Sequence, residues 1–374
     1  MSTDHADGEL EEEASTPDSA GGIRDNVLIL PSVICSHIVA ERIADQIEGC
    51  VAAPHDHGCA QLGHDNALTR ETLIALGDHP NIAGTVVVGL GCEHVQSDSV
   101  ADELSERGVD VAELSIQGVG GTEACVDRGS ELAREIRTRA SVDTAPTDLD
   151  ELTVGIVSTD LSESTRTQAD PLVGAFADRV IDAGGRVLVA GTERITAHPS
   201  AARERFENAS TQTPEQTGID GILEANRGPS RTPRLRADAQ SYTFDESTRA
   251  WGTAPVDAVL EHGETPSQDT QLGFVSASSR FEEAATALAA AGVHLIIHVT
   301  GDGIPTGHPI APVIKVCAND ETLTALGTDI DIDAREATVD DLEETVRSVA
   351  AGEQSRAERH GVTSFAIERV GPSM

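Results

Sequence analysis

The chain has 374 residues, with 64 acidic against 26 basic side chains, a formal net charge of −38 and only 2% aromatic residues. Such a surface repels phosphate, which excludes nucleic acid as a partner, and no apolar run approaches the ~20 residues of a membrane-spanning helix. A large excess of acids, with arginine in place of lysine, is typical of a halophile's cytoplasmic protein, because salt screens the repulsion between like charges.

Strands and helices are predicted to alternate in two segments that follow an acidic tail. Residues 1–22 carry almost no large apolar side chains, which indicates disorder. Residues 23–145 form the first predicted α/β domain and residues 146–374 the second. Apolar runs that alternate with helices predict parallel sheets covered on both faces. The predicted strands begin at Val27, Cys50, Gly84, Val109, Leu152, Gly185, Leu272, Val293 and Pro312.

The predicted fold class is α/β with two Rossmann-like parallel-sheet units, in which the active site lies at the carboxyl ends of the strands. The first three predicted strands each run into a loop that contains potential ligands. These loops span residues 35–37, 55–59 and 89–94. We expect the loops to converge at one edge of the first sheet, so that groups distant in sequence share a site.

Imidazole, thiol and carboxylate groups in these loops are candidates for metal binding and acid–base chemistry. We predict that His55 and His57 act in catalysis and that Cys59, Cys92 and Glu93 bind a metal ion, because such groups suit a borderline divalent cation. Each residue also has a structural alternative. The histidines would satisfy backbone groups, the cysteines would pack as small apolar residues, and Glu93 would complement a helix dipole.

The single lysine of the chain, Lys315, is a further candidate for catalysis. All other basic residues are arginines, and Lys315 lies in the Gly/Pro-rich segment 300–316. A guanidinium stays charged, whereas a buried ammonium readily loses its proton. We therefore expect Lys315 to act as a general base or as a donor to a substrate oxyanion. The alternative is an amine that extends to solvent from a strand end.

Glycine-rich loops are predicted to approach a substrate anion through their backbone N–H groups. Their spacing does not match a dinucleotide fingerprint, so NAD is not expected. An arginine just before the first strand is a candidate clamp for a carboxylate. The predicted substrate-binding residues are Arg24, Gly89, Gly91, Gly301, Asp302 and Gly303.

The same segments resemble the altronate and galactarate dehydratase family, which also includes the large subunit of a sulfolactate sulfo-lyase. The similar motifs lie at residues 24–31, 55–59, 79–93 and 300–316. The last of these, with the pattern T-G-x-G-x-P-x-G-x-P-x-A-P-V-I-K-V, is long enough to be specific. The resemblance covers about 24–145 and 290–370 of the chain.

The resemblance implies a metal-dependent hydro-lyase that dehydrates a sugar acid to a 2-keto-3-deoxy acid. It implies Fe²⁺ or Mn²⁺ as the cofactor, with Mg²⁺ as an alternative, and a small hydroxy acid as the substrate. It also implies a separate small subunit, because the small N-terminal domain of single-chain members has no counterpart in residues 1–22. Homo-oligomerisation stays open.

The middle of the chain departs from the family pattern. Thr159-Asp160-Leu161-Ser162 stands where members have G-G-S-D, and residues 234–246 show no clear match to a later glycine-rich segment. Two alternatives therefore stay open beside the hydro-lyase. The chain is a subunit of a sulfolactate-type C–S lyase, or it is a non-catalytic paralogue that binds a ligand.

Overall fold

The computed structural model describes residues 21–61, 63–140, 148–211, 218–228 and 230–369, so almost all of the predicted tail lies outside the described residues. Two sheets, of four and eight strands, are parallel throughout. This confirms the predicted α/β class with two parallel-sheet units. In the part of the chain that is described, no helix has the length and apolarity to cross a bilayer.

The first unit is a four-stranded sheet with the strand order β2-β1-β3-β4. Its elements are β1 (Asn26–Pro31), α1 (His37–Ala44), β2 (Cys50–Ala52), α2 (His64–Gly77), β3 (Ile82–Gly89), α3 (Ser97–Glu106), β4 (Val111–Ser115) and α4 (Thr122–Arg139). Apolar residues of α1 and α4 pack on one face of this sheet, and those of α2 and α3 pack on the other.

The second unit is an eight-stranded sheet with the order β12-β11-β10-β5-β6-β9-β8-β7. Its first elements are β5 (Thr153–Ser158), α5 (Asp170–Ala183), β6 (Arg186–Ala190), α6 (Thr192–Ala197), α7 (Pro199–Arg205), β7 (Ser210–Thr211), α8 (Gly218–Ala225), α9 (Pro233–Ser241) and α10 (Phe244–Ser247). The remaining elements are β8 (Ala258–Leu260), β9 (Leu272–Val275), α11 (Phe281–Ala290), β10 (Leu295–Val299), β11 (Val313–Cys317), α12 (Asp320–Leu326), β12 (Ile332–Asp333), α13 (Val339–Ala350) and α14 (Arg356–His360).

All nine predicted strands are present, and three further strands were not predicted. The additional strands β7, β8 and β12 contain two, three and two residues. Segments of this length are too short to show a hydrophobic period, so they are recognisable only from their pairing partners.

The order of strands in the second sheet reverses between β5 and β10. From β5 the chain proceeds to β6 on one side, whereas β10 and β11 lie on the other side of β5. Helices therefore diverge above this pair of strands and leave a crevice at their carboxyl ends. Ligands of open parallel sheets bind at such a reversal.

The two units share an interface that is both apolar and hydrogen-bonded. The Asn81 side chain donates to the carbonyls of His294 and Ile310, at 2.9 and 3.2 Å. The ring of His79 donates to the carbonyl of Val293 at 3.1 Å. Helix α2 packs against α11 within one apolar cluster to which both units contribute.

Candidate functional site

A cavity of about 300 Å³ opens at the carboxyl ends of β5 and β10. Its lining includes the carboxylates of Asp160, Asp238 and Asp302, the amide of Asn319 and the ring of Tyr242. No lysine, arginine or histidine occurs among the described residues that line it. The wall of the cavity therefore attracts cations and repels a free carboxylate.

Asp160 joins the two loops that flank the strand-order reversal. Its Oδ2 accepts the N–H of Gly301 at 2.5 Å, and its Oδ1 accepts the N–H of Ser162 at 2.9 Å. A Cβ at Gly301 would lie 2.9 Å from both carboxylate oxygens, so glycine is required for this approach. A turn of π-helix, Thr165–Ala169, leads from this loop into α5. Such turns are rare and frequent at functional sites.

The predicted residues Gly301, Asp302 and Gly303 form the loop that follows β10. Gly301 and Asp302 line the cavity. Gly303 has a φ of +69° and donates its N–H to the hydroxyl of Thr300 at 3.1 Å. The structure thus brings part of the predicted substrate-binding set to the cavity. This loop follows β10, which comes five strands after β5 in the chain but lies next to it in the sheet.

Lys315 lies in the middle of β11 and is fully buried. Its Nζ donates to the carbonyl of Pro305 at 2.8 Å, and its backbone N–H donates to Asp331 at 2.8 Å. Burial lowers the pKa of Lys315, although Asp331 and Asp329 act in the opposite direction. A buried amine of this kind is able to lose its proton and accept another.

His298 on β10 is the register partner of Lys315 and is also fully buried. The hydroxyl of Thr159 donates to the carbonyl of Val299 at 3.2 Å and therefore accepts from His298 Nε2 at 3.1 Å. This assigns the proton to Nε2 and leaves Nδ1 as an acceptor that has no partner among the described residues. The ring stacks on Phe281, and burial together with Lys315 lowers the pKa of His298 to about 3. The imidazole is neutral at neutral pH.

A buried network of charged residues supports the same edge of the sheet. The guanidinium of Arg194 donates to the carbonyls of Ser158 and Ser247 and to the hydroxyl of Ser279. Asp170 accepts the hydroxyl of Ser158 at 3.1 Å, while its Oδ2 has no partner in the described part of the chain. Burial raises the pKa of Asp170 to about 7, against the opposing charge of Arg194.

His55 and His57, the predicted catalytic histidines, have both ring nitrogens engaged within the protein. His55 Nε2 donates to the carbonyl of Pro31 at 2.7 Å, and its Nδ1 accepts the N–H of His57 at 3.1 Å. His57 Nε2 donates to the carbonyl of Ile367 at 3.0 Å, and its Nδ1 accepts from Gln61 at 2.8 Å. Burial lowers the pKa of both rings, that of His55 to about 4. Neither ring has a free nitrogen for a ligand in this arrangement.

The carboxylate of Glu93 occupies the glycine loop that was predicted to bind a substrate anion. Its Oε1 accepts the N–H of Leu90 at 3.2 Å, and its Oε2 accepts those of Gly91 and Cys92 at 2.6 and 2.8 Å. A Cβ at Gly89 would collide with this carboxylate. Burial by itself would raise the pKa of Glu93, but the hydrogen bonds outweigh it and hold the pKa below its ordinary value. The anion in this loop is the protein's own.

The predicted metal ligands do not form a preassembled metal site. Cys59 is half-buried, and Cys92 is exposed with its Sγ 3.9 Å from the amide of Gln117. Within the described ranges, no group of three or more His, Cys, Asp or Glu side chains is placed to hold a metal ion. The described residues therefore do not by themselves fit a metal centre.

Arg24 lies at the opposite end of the first sheet from the ligand-bearing loops, because it precedes β1. Its guanidinium forms a two-bond ion pair with Glu358, at 2.9 and 3.0 Å. It also donates to the carbonyls of Ile23, Val349 and Glu353. In this structure Arg24 fastens the start of the first unit to α13 and α14.

Two residues of the site, Asp160 and His298, were not predicted to be functional. Asp160 follows closely after a buried strand, as the ligand-bearing loops of the first unit do. His298 is a single polar residue inside a strongly apolar strand, which also distinguishes it in the sequence. Nothing in the sequence, however, shows that its Nδ1 lacks a partner.

Parallel sheets with a polar crevice at a strand-order reversal are the architecture of α/β proteins that bind a ligand at the carboxyl ends of their strands. A family model described as "D-galactarate dehydratase/Altronate hydrolase, second domain" matches residues 15–141. A second, "D-galactarate/Altronate dehydratase, C-terminal", matches residues 247–373. The segment between the two matches contains Asp160 and Arg194.

Similar proteins agree with these matches. The (2R)-sulfolactate sulfo-lyase subunit beta of Chromohalobacter salexigens is 31% identical over 93% of this chain and 94% of that protein. Altronate dehydratases of Bacillus subtilis and Escherichia coli are 28% and 27% identical, over 94% of this chain and 76% of each relative. The chain belongs to the galactarate and altronate dehydratase family, which confirms the resemblance and the expectation of a lyase-type enzyme.

Proposed function

We propose that the protein is a hydro-lyase that removes water from a sugar acid and yields a 2-keto-3-deoxy acid. The observation that carries the proposal is the position of Lys315. It is the one lysine of the chain, it is fully buried, and it lies one strand from the strand-order reversal. Membership of a family of dehydratases supplies the reaction class.

Dehydration of a 2,3-dihydroxy acid requires movement of one proton and loss of one hydroxyl group. The proton on C2 is abstracted, negative charge develops on the carboxylate as an enediolate, and hydroxide leaves C3. The resulting enol tautomerises to the 2-keto acid. The neutral amine of Lys315 has one lone pair and two N–H groups, so it can accept the C2 proton while it donates to a carboxylate oxygen. The ammonium formed can then give that proton to the hydroxyl that leaves, which completes the water molecule.

The dependence on a divalent metal ion remains part of the proposal. The acidic wall of the cavity supports it, because a substrate carboxylate approaches three aspartates favourably only together with a cation. Since the described residues do not assemble a metal centre, no step of the reaction is assigned to the metal. Chelation followed by re-addition of Fe²⁺, Mn²⁺ or Mg²⁺ tests this part.

We also propose that a small subunit completes the enzyme. The relative from Chromohalobacter salexigens is named as a subunit beta and aligns with this chain over nearly its whole length. A second chain could supply the basic groups and metal ligands that the cavity lining lacks. Co-purification of a small protein with the tagged chain from its native host would support this expectation.

A sulfolactate-type C–S lyase is the second candidate, and the 31% identity to a sulfo-lyase subunit favours it. The chemistry at C2 is the same, but sulfite leaves C3 in place of hydroxide, and the enol becomes pyruvate. Only the leaving group distinguishes the two reactions, so the geometry around Lys315 serves either.

An assay of keto acid and sulfite tests both candidates. The protein, purified in multimolar KCl, is incubated with divalent metal ions and the small subunit against altronate, galactarate and sulfolactate. Keto acid without sulfite, from a sugar acid, is the expected result. Equal amounts of sulfite and pyruvate from sulfolactate would assign the second reaction. Absence of product from a folded, complete enzyme would contradict both and favour a non-catalytic paralogue.

A further inference from the structure

Polar atoms around Lys315 lack the partners that buried polar atoms normally have. Both His298 Nδ1 and Thr306 Oγ1 are buried without a hydrogen bond to the described part of the chain. The structure gives Lys315 Nζ the carbonyl of Pro305 as its acceptor, although even a neutral amine carries two N–H groups. Two of the buried side-chain atoms that lack a partner in the described part of the chain therefore lie on β10 and on the loop that follows it.

The three groups lie close together in the fold. His298 and Lys315 are register partners on neighbouring strands, which lie ~4.8 Å apart, and in-register residues of parallel strands share a face. The charge of Lys315 acts on the His298 ring. Thr306 follows Pro305, whose carbonyl is 2.8 Å from Nζ. The chain thus brings a donor amine, a lone-pair acceptor and a residue with a free hydroxyl to β10, β11 and the loop that joins them.

We propose that these three side chains bind the α-hydroxycarboxylate group of the substrate. The amine of Lys315 donates to a carboxylate oxygen, Thr306 donates to the other, and His298 Nδ1 accepts the hydroxyl on C2. His298 can serve only as the acceptor, because Thr159 holds the ring proton on Nε2. A ligand without the C2 hydroxyl leaves Nδ1 unpartnered.

Access to this site passes through the loop that covers Lys315. Pro305 is exposed and Thr306 is half-buried, so this loop reaches the protein surface while the carbonyl of Pro305 contacts the amine. A ligand carboxylate would take the place of the Pro305 carbonyl on Nζ. The loop follows β10, and Gly301 near its start lines the acidic cavity.

This inference rests on the proposed function for the identity of its ligand, but binding is measurable without turnover. Isothermal titration in multimolar KCl compares altronate with its 2-deoxy counterpart, and sulfolactate with 3-sulfopropionate, which lacks the C2 hydroxyl. We expect the hydroxylated acid of one pair to bind about tenfold more tightly, as one hydrogen bond to a buried acceptor provides.

Two substitutions of His298 separate its ring nitrogens. His298→Gln places an amide near the Nε2 position and removes the Nδ1 acceptor, so the preference for the hydroxylated acid should disappear. His298→Asn retains an acceptor near the Nδ1 position and should keep the preference. Thermal unfolding of each variant shows whether it is folded.

Substitutions of Thr306 provide a test that does not depend on the histidine variants. Thr306→Val should weaken both acids of a pair equally, because it removes a contact with the carboxylate. Thr324→Val, on the exposed surface of α12, is the matched control and should change nothing.

The outcomes separate this inference from the proposed function. Loss of the preference in His298→Gln without turnover of any acid would support the site and contradict the hydro-lyase. Turnover of a sugar acid, with an unchanged preference in His298→Gln, would support the hydro-lyase and contradict the site. Failure of all four acids to bind to the folded protein would overturn the inference.

Discussion

The carboxyl edges of the two sheets carry similar polar side chains, which differ in whether their polar atoms have hydrogen-bond partners. At the edge of the first sheet, His55, His57 and Glu93 have their side-chain polar atoms engaged by the protein itself. At the edge of the second sheet, His298 leaves a ring nitrogen without a described partner, and Lys315 has donors to spare. A cavity opens only a strand away.

The difference teaches that a functional polar residue is distinguished by its unused hydrogen-bonding capacity. Satisfied groups such as those of the first edge stabilise loops, and removing them should lower stability. Unsatisfied groups such as those of the second edge lower stability when no ligand is bound, because a buried polar atom without a hydrogen bond costs free energy. A ligand that supplies the missing partner would recover that free energy. Four predictions test this distinction, and the largest effect is expected at Lys315.

Replacement of Lys315 by methionine should strongly reduce turnover and leave the fold intact. Loss of an acid–base group reduces kcat by about 10²–10⁴, and methionine fills the buried volume without a charge. In the native enzyme, kcat/KM should fall as the pH decreases through the pKa of Lys315, which lies below that of an ordinary amine. Keto-acid release over a pH series measures both effects.

Arg128→Met on the exposed surface of α4 is the control for the loss of a positive charge. It should retain full activity. If the Lys315→Met enzyme kept native turnover, Lys315 would not act in catalysis. The contrast between the two sheet edges would then not identify the active site.

Replacement of Glu93 by alanine should reduce stability by about 3 kcal/mol, because three backbone N–H groups lose a charged acceptor. Urea unfolding in concentrated KCl measures the change. Glu106→Ala, at the exposed end of α3, should change the free energy of unfolding by less than about 0.5 kcal/mol. If Glu93→Ala were stable but inactive, Glu93 would be a ligand-binding residue.

Replacement of Asp170 by asparagine should stabilise the protein at high pH relative to low pH. The folded pKa of about 7 exceeds the ordinary 3.8, so the folded protein binds this proton more tightly than the unfolded chain does. The native protein loses that contribution to stability as the pH rises from 3.8 to about 7. Asparagine does not titrate. The variant should therefore gain about 2 kcal/mol on the native protein between pH 5 and pH 8.

Unfolding of native and variant proteins at the two pH values measures this shift. Asp182→Asn, exposed on the same helix, is the matched control for the amide substitution. Equal shifts for both variants would contradict the raised pKa of the buried Asp170 at the second edge.

The smallest effect is expected for Cys92→Ser. Its side chain is exposed and accepts a weak hydrogen bond from Gln117, so stability should change by less than about 0.5 kcal/mol. Turnover should persist, and metal analysis should show an unchanged content. Loss of bound metal would instead support the predicted role of Cys92 as a ligand and would indicate that the edge of the first sheet binds metal.

Most of the fold was predictable from the sequence, because it depends on patterns that extend over several residues. The buried strands are continuous apolar runs, and their alternation with helices determines a parallel sheet. The order of strands was not predictable. The adjacency of β5 and β10, which creates the crevice, joins segments some 140 residues apart and depends on packing of the complete chain.

The sequence predicted the residue types of the candidate site but only some of the positions at which they occur. Lys315 was found because its chemistry is unique in the chain. Glu93 and the glycine loop were both recognised, but their mutual satisfaction depends on distances of 2.6–3.2 Å that no pattern of residues encodes. The same limit applies to His298, because the groups packed around the ring decide whether its Nδ1 has a hydrogen-bond partner.

The shared interface between the units has a consequence for how the protein unfolds. Asn81 and His79 of the first unit satisfy carbonyls next to β10, and α2 contributes to one apolar cluster with α11. Separation of the units would expose this cluster and leave those carbonyls unpaired, so neither half is expected to be stable alone. The molecule should melt in one cooperative transition, and two fragments divided near residue 145 should fold only when mixed.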